Sequence, residues 1–143
     1  MKATGIVRRI DELGRIVIPK EIRRTMRIRE GDPLEIFTDR EGEVIFKKYS
    51  PIGELAGFAA QYAETLHKTG GMAVVICDRD AVIACAGVSK KEYNDKSLSE
   101  ELERIIENRS LYVYHNGDAA VPVVPDGNSH YVSCAMPIVS EGD

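Results

Sequence analysis

The stretch GRIVIPKEIRR, residues 14–24, places an apolar run, a proline and a basic segment in direct succession. Residues 15–18 have the β-branched composition of a strand, and Pro19 ends that strand because proline has no amide hydrogen for a sheet ladder. Proline also has the backbone angle of a first helical residue, so a short helix is predicted from Pro19 to about Arg27. Ile22 and Met26, at i, i+4 spacing, are predicted to form its buried side.

Strands are predicted on both sides of this segment. Residues 4–10, TGIVRRI, mix apolar and basic positions as a short strand does, and DELG joins them to residues 15–18 as a turn. Further on, LEIFTD and EVIFKK flank a turn that contains Gly42. Residues 1–50 are therefore predicted to be a mainly β domain with one short helix.

A domain of about 50 residues buries too little apolar surface to be stable alone, and usually needs disulfides, a metal or a second chain. The three cysteines are odd in number, spread out and without a C-x-x-C pair. Such a pattern is typical of reduced thiols rather than of a disulfide framework or a zinc site. The sequence therefore predicts an obligate homodimer through this domain.

Charge is distributed unevenly along the chain. Residues 1–50 hold 12 basic and 9 acidic side chains, a net charge of +3, whereas residues 51–143 hold 7 and 14, a net charge of −7. Glu21 is the only acid between Arg15 and Arg29. Clustered like charges are destabilising unless an anion meets them, and duplex DNA is the obvious polyanion. On charge alone, a solvated basic helix face remains the alternative.

The segment TGIVRRIDELGRIVIPKEIRRTMRIREGDPLEIF resembles the swapped-hairpin DNA-binding domain of AbrB-type bacterial transition-state regulators. This resemblance spans residues 1–49 and implies that two chains interleave their hairpins into one small β-barrel dimer. It also implies a role in binding double-stranded DNA for Arg8, Arg15, Arg23 and Arg24. Charge alone adds four secondary candidates: Lys2, Arg9, Lys20 and Arg27.

Ser50 and Pro51 mark the predicted boundary of a second domain, residues 51–143, because they are a helix cap candidate followed by a proline. The helix that begins there is predicted to end at Gly70 and Gly71. Its apolar residues step by three and four, which suits packing on a partner helix in an oligomer. These residues are Ile52, Leu55, Ala59, Tyr62 and Leu66.

The rest of this domain reads as α+β. MAVVICD and AVIACAG form a predicted hairpin. Ser97 is predicted to cap a helix over residues 98–108, with Glu100 in capping-box spacing. Two more strands are predicted in SLYVYH and HYVSCAMPIV. The order of parts resembles a GAF-type sensory domain, an antiparallel sheet with flanking helices. The resemblance implies an unidentified small-molecule ligand and a homotetramer. The final VSEGD resembles a turn without a returning strand, so the domain is expected to be incomplete at its C-terminus.

Catalytic chemistry is not expected. His130 and Cys134 lack an orienting group, and both Cys134 and Cys85 are interpreted as small buried core residues. The histidines His67, His115 and His130 show no metal-ligand spacing, so no metal and no cofactor is expected. No apolar run is long enough to cross a membrane and no signal peptide is recognised, which favours a cytoplasmic, nucleoid-associated protein.

The leading hypothesis is a DNA-binding transcriptional regulator, an activator or repressor whose resemblance points to sporulation genes in the forespore. The alternative is an antitoxin that neutralises a ribonuclease and represses its own operon. Antitoxins with such a head typically have short unfolded tails, whereas residues 72–138 here are rich in strand patterns. An enzyme is the third class, and no set of nucleophile, base and orienting group supports it.

Overall fold

The computed structural model describes residues 1–126 and 130–139, and the turn expected over residues 139–143 lies outside them apart from Val139. The chain divides into two compact units, Met1–Tyr49 and Ser50–Asp143. Within the described residues, no helix has both the length and the apolar character needed to cross a membrane.

The first unit contains helix α1 (Lys20–Met26) and strands β1 (Leu34–Thr38) and β2 (Val44–Lys48). The two strands pair antiparallel, with Leu34 opposite Lys48 and Thr38 opposite Val44. Gly42 lies in the connecting turn at φ +87°, a region that glycine enters without steric cost. The predicted hairpin over this segment is confirmed.

Helix α1 begins one residue later than predicted, because Pro19 is its N-cap rather than its first helical residue. The prediction that Ile22 and Met26 form a buried side of α1 is wrong for a single chain. Ile22 is only half-buried and Met26 is 55% exposed, since α1 has no second layer of this unit over its apolar side.

The strands predicted over residues 4–10 and 15–18 are not formed in the single chain. Both segments are described without helix or strand, although the turn between them is closed by the Asp11 amide, which donates to the Arg15 carbonyl over 3.0 Å. A two-stranded ribbon is marginal by itself in water. Val7 (83% exposed) and Val17 (69% exposed) have no apolar layer over them that would hold such a ribbon, and residues 1–49 of one chain form no barrel.

The second unit is built from short helices and strands. In chain order these are α2 (Pro51–Glu54), α3 (Ala56–Gly70), β3 (Val74–Cys77), β4 (Val82–Ala86), α4 (Lys90–Tyr93), α5 (Glu100–Asn108), β5 (Tyr112–Val113) and β6 (Cys134–Ala135). β3 pairs antiparallel with β4, and β5 with β6. The predicted hairpin of β3 and β4 is confirmed, and the two further predicted strands are found as β5 and β6, each only two residues long. Helix α4 has no counterpart in the sequence prediction.

Two helix boundaries differ from the sequence prediction. The single helix expected after Ser50 is interrupted at Leu55, so α2 and α3 are separate, whereas the predicted stop at Gly71 is confirmed by its φ of +70°. Helix α5 is capped by Ser99 and not by Ser97: the Ser99 hydroxyl oxygen accepts from the Leu102 amide at 3.1 Å. Ser97 instead forms a β-bridge with Ala81.

The core of this unit lies between β4, the segment before α5 and residues 121–124. Val82, Leu98 and Cys85 are each 2% exposed or less. The buried position predicted for Cys85 is confirmed, and the one predicted for Cys134 is wrong, because the Cys134 side chain on β6 faces solvent. Other buried members of the same core are Tyr93, Leu102, Val121, Val123 and Val124.

Candidate nucleic-acid interface

The N-terminal unit carries an open apolar groove with a volume of about 630 Å³. Residues 16–19, helix α1 and strand β2 line it, and Arg8 borders it. Ile16 is 45% exposed and Phe46 is 41% exposed at its walls. Apolar surface that is this open on a small unit is characteristic of a face that another chain covers.

Arg8 and Arg23 are exposed, and each is held by a backbone carbonyl of its own chain. Arg23 Nε donates to the Ile18 carbonyl at 3.1 Å, which connects α1 to the segment that precedes Pro19. Arg8 Nη1 donates to the neighbouring Val7 carbonyl, also at 3.1 Å. Each of these bonds uses one N–H of its arginine, and a guanidinium has five N–H donors in total.

Arg15 is anchored by an acid. Its Nε lies 2.7 Å from Asp11 Oδ2, and its side chain is nevertheless 70% exposed. The same carboxylate accepts the backbone amides of Arg15 at 2.8 Å and Leu13 at 2.9 Å through Oδ1. The Arg15 backbone amide and then its guanidinium lower the pKa of the Asp11 carboxyl, so this group is ionised at neutral pH.

This ion pair corrects one inference from charge. The sequence pattern indicates few acids that could relieve the basic cluster, yet Asp11 stands four residues before Arg15 and pairs with it. Sequence reasoning misses Asp11 as a functional candidate. The signal is present as D-x-x-G-R, a turn whose first and last side chains have opposite charge.

Of the other proposed DNA contacts, Arg24 and the secondary candidate Lys20 are exposed on α1, and Lys2 and Arg9 are exposed in the segment before it. Arg27 is exposed at the end of α1, in the left-handed conformation at φ +54°. Its carbonyl oxygen accepts from Lys48 Nζ at 3.1 Å, so the end of the helix is connected to β2.

Two lysines that sequence reasoning does not single out also border the groove. Lys47 and Lys48 end strand β2, and the Lys47 ammonium lies 4.9 Å from the centre of the Phe37 ring. The signal in the sequence is the pair KK directly after an apolar strand. The positive surface of this unit therefore includes β2 as well as α1 and the first eighteen residues.

Helix α3 of the second unit, together with its N-cap residue Leu55, presents an apolar stripe to solvent. Leu55 is 57% exposed, Tyr62 is 54% exposed and Leu66 is 45% exposed, while Ile52 is half-buried. Ala59 does not belong to this stripe. It is 4% exposed because α3 packs on β3 and β4 within the unit through its small residues Ala59 and Ala63. Phe58, 62% exposed and in ring contact with Tyr62, stands in its place.

Two cysteines of this unit, Cys77 and Cys85, lie in surroundings that keep their thiols protonated at neutral pH. Burial raises the pKa of the Cys77 thiol to about 11, and burial also raises the pKa of Cys85, whose Sγ donates to Asn94 Oδ1 at 3.3 Å. A thiol with a raised pKa is a poor nucleophile at neutral pH. Among residues 1–126 and 130–139, no group of three or more His, Cys, Asp or Glu side chains is arranged to hold a metal ion.

Residues 54–143 match the family profile described as "Stage V sporulation protein T C-terminal, transcription factor". Residues 7–53 match the profile described as "Antidote-toxin recognition MazE, bacterial antitoxin". The whole chain is 60% identical, over 147 aligned residues, to stage V sporulation protein T of Bacillus subtilis (strain 168), and it covers 80% of that protein.

The N-terminal part has further relatives. Over 51 residues, 36% of this chain, it is 63% identical to the transition state regulatory protein AbrB of Bacillus subtilis (strain 168), of which it covers 52%. The solution structure of the N-domain of the transcription factor AbrB is 63% identical and is matched with a TM-score of 0.33, covering 36% of this chain and 96% of that one.

Proposed function

Because the chain belongs to the family of stage V sporulation protein T, we propose that it is a sporulation-related DNA-binding transcriptional regulator. Its N-terminal domain, residues 1–50, binds double-stranded DNA, and residues 51–143 regulate that binding. The observation that carries the proposal is the set of exposed arginines on the N-terminal unit, where residues 1–29 hold nine basic and three acidic side chains.

The DNA contacts are assigned to four arginines. Arg8, Arg15 and Arg23 each use one guanidinium N–H on their own chain, which orients the group while further donors remain on it. Arg24 is exposed on the same short helix as Arg23. Contacts to phosphates give affinity and a steep salt dependence, and contacts to base edges in the major groove give specificity. Secondary contacts are assigned to Lys2, Arg9, Lys20 and Arg27.

The groove beside Arg8 supports a homodimer as the binding unit. In the dimer, residues 4–18 of a second copy of this chain form the strands that cover the groove. In one chain the apolar side chains of this segment are exposed: Val7 by 83%, Ile10 by 71% and Val17 by 69%. Those strands would acquire the ladder partners that they do not have in one chain. The result is the swapped-hairpin β-barrel, with the arginines of both chains on one assembly.

The second domain is proposed to be a GAF-like sensory domain that takes a small molecule and joins two dimers into a homotetramer. The exposed apolar stripe of α3 supports the second role, because three large side chains, one on its N-cap residue and two on the helix, are left to solvent. They are Leu55, Tyr62 and Leu66, with half-buried Ile52 preceding them and Phe58 beside them.

The antitoxin alternative is less well supported. The match of residues 7–53 to an antitoxin profile concerns the DNA-binding head, whereas residues 54–143 match a transcription-factor profile. A folded second unit with a buried core also differs from a short unfolded tail. The proposed location is the cytoplasm, on the nucleoid, and in the forespore when sporulation genes are being controlled.

The test is a set of three arginine substitutions with equal loss of charge. Arg15→Ala and Arg23→Ala should each weaken binding to a DNA duplex by roughly 1–3 kcal/mol. Arg40→Ala, at an exposed arginine in the turn between β1 and β2, is the matched control and should have a small effect. Gel-shift titrations at stated salt measure the affinities, and light scattering checks that each variant keeps the oligomeric state of the unaltered protein. Failure of the unaltered protein to bind any duplex at low salt, or binding by both variants as tight as its own, contradicts the proposal.

A further inference from the structure

Two turns of the N-terminal unit have the same construction. The first is DELGR, residues 11–15, and the second is DREGE, residues 39–43. Each begins with an aspartate whose amide donates to the carbonyl of the fifth residue, over 3.0 Å in the first turn and 3.2 Å in the second. Each has a glycine in fourth place with a positive φ, +76° and +87° respectively.

The aspartate side chains also serve the two turns alike. Asp11 Oδ1 accepts the amides of the third and fifth residues at 2.9 and 2.8 Å. Asp39 Oδ1 accepts the corresponding two amides at 2.9 Å each. One carboxylate oxygen is therefore sufficient to hold this type of turn, because Oδ1 makes both of the bonds.

The turns differ in the side chain of the fifth residue. In the first turn it is Arg15, whose Nε donates to the second oxygen of Asp11 at 2.7 Å. In the second turn it is Glu43, an acid like Asp39, whose side chain has no N–H donor. Asp11 thus makes one bond more than the turn needs, and that bond holds the arginine.

We propose that Asp11 is a positioning residue of the DNA-binding surface, which fixes Arg15 so that the Nη1–Nη2 edge of its guanidinium meets the duplex. This inference rests on the proposed function. Within the described part of the chain, Nε is the only guanidinium nitrogen of Arg15 for which the structure gives a partner, and the side chain is 70% exposed. The two terminal nitrogens present the parallel donors that suit a bidentate contact to a phosphate or to a guanine edge.

A fixed arginine loses less side-chain entropy on binding than a mobile one. Removal of Asp11 therefore has two opposite consequences. It deletes a negative charge beside a polyanion, which favours tighter binding, and it releases Arg15, which favours weaker binding. A purely electrostatic role and a positioning role consequently predict changes of opposite sign.

The experiment compares Asp11→Asn with Asp39→Asn in the full chain. Asparagine keeps the Oδ1 acceptor of each turn but replaces the second oxygen with an NH₂ group, which cannot accept from Arg15 Nε. Both variants lose one negative charge. We expect Asp11→Asn to bind a synthetic mixed-sequence duplex roughly tenfold more weakly than the unaltered protein, and Asp39→Asn to bind at least as tightly.

A double-substitution cycle separates positioning from general damage to the fold. In an Arg15→Ala background, Asp11→Asn should cause no further loss, because no guanidinium remains to be positioned. Two outcomes would overturn the inference: Asp11→Asn alone binds as tightly as the unaltered protein or more tightly, or it causes the same loss of affinity in both backgrounds. Arg15→Ala tests the proposed function separately. If the unaltered protein binds no duplex, the proposed function fails first.

A second variant covers the case in which Asp11→Asn does not keep the oligomeric state of the unaltered protein. Arg15→Lys keeps the charge and leaves Asp11 in place, but a lysine ammonium has no planar edge with two parallel donors. It should lose most of the affinity that Arg15→Ala loses. Binding equal to that of the unaltered protein would show that charge at this position is sufficient and would overturn the positioning role.

Discussion

The ring of His67 lies directly against Gly87, so closely that a Cβ atom added at Gly87 would stand 2.6 Å from His67 Cε1. The ring is fixed by its Nδ1, which lies 2.6 Å from the Met72 carbonyl oxygen. Because a carbonyl oxygen only accepts, Nδ1 is the donor in this contact. The end of α3, the start of β3 and the end of β4 are thus held together at one glycine.

Gly87→Ala should therefore destabilise the second unit. The added methyl group would also stand 3.1 Å from the Ala73 Cα atom, and the φ of +78° is unfavourable for alanine. Gly117→Ala is the control, because its φ of +96° imposes a similar backbone cost with no atom within 4 Å. We expect Gly87→Ala to lower the free energy of unfolding by about 1–3 kcal/mol more than the control does, measured by urea unfolding. Equal losses would show that backbone strain alone is responsible.

Ser99→Ala should destabilise the same unit through α5. The Ser99 side chain is 1% exposed, and its hydroxyl accepts from the Leu102 amide and donates to the Pro122 carbonyl oxygen at 2.6 Å. Its loss leaves both groups without this partner, at a cost of about 1–3 kcal/mol. Ser97→Ala, at the exposed serine two residues earlier, should change the free energy of unfolding by less than about 0.5 kcal/mol. Thermal or urea unfolding of the two variants measures the difference, and a larger loss for Ser97→Ala would contradict the assignment of the cap.

These two serines illustrate what the sequence does and does not determine. Both precede α5, and the spacing of Ser97 and Glu100 in the sequence fits the capping-box pattern fully. The structure selects Ser99 because its hydroxyl also reaches the carbonyl of Pro122, 23 residues later. A tertiary contact of that kind leaves no mark in the local pattern.

The same distinction holds for the glycines and strands elsewhere in the chain. The turn at Gly42 and the helix stop at Gly71 are predictable, because a positive φ demands glycine locally. The strands predicted over residues 4–10 and 15–18 are not found, since their hydrogen-bond partners are proposed to come from a second chain. The pairing of Asp11 with Arg15 has a local signal in D-x-x-G-R, and comparison with the turn at Asp39 shows that the turn itself does not need it.

The stability of the second unit should fall above pH 9 because of Cys77. Burial, and next the charge of Asp78, raise the pKa of this thiol from 9.0 to about 11. Between these values the unfolded chain loses the thiol proton and the folded chain keeps it, so the free energy of unfolding decreases as pH rises. From pH 8 to pH 10 the contribution is roughly 1 kcal/mol.

Cys77→Ala isolates this contribution. The variant should be less stable than the unaltered protein at pH 8, because a partly buried side chain is truncated. The difference in free energy of unfolding between the two proteins should be smaller at pH 10. Urea unfolding at both pH values measures the two differences. Cys134→Ala is the control, since its side chain is exposed, and its difference should not change with pH. A constant difference for Cys77→Ala would contradict the raised pKa.

Leu66→Glu should reduce the assembly from four chains to two. Leu66 is 45% exposed on the stripe of α3 that is proposed to join two dimers. A carboxylate buried in a helix–helix contact without a partner is strongly unfavourable. Thr65→Glu introduces the same charge at the adjacent exposed position and should leave the assembly unchanged. Light scattering measures the mass, and a tetramer that withstands Leu66→Glu would remove this stripe from the interface.

A duplex with two binding sites should be bound more tightly by the tetramer than by the dimer. Two dimers joined through their second domains engage two sites on one duplex at a high effective concentration, whereas a dimer engages each site independently. Leu66→Glu should therefore weaken binding to a duplex with two sites much more than binding to a duplex with one, because the arginines are unchanged. Titrations of the unaltered protein, Leu66→Glu and Thr65→Glu on both duplexes measure this. An equal effect of Leu66→Glu on the two duplexes would mean that the assembly does not hold both sites at once, and that residues 51–143 act on DNA binding by another route.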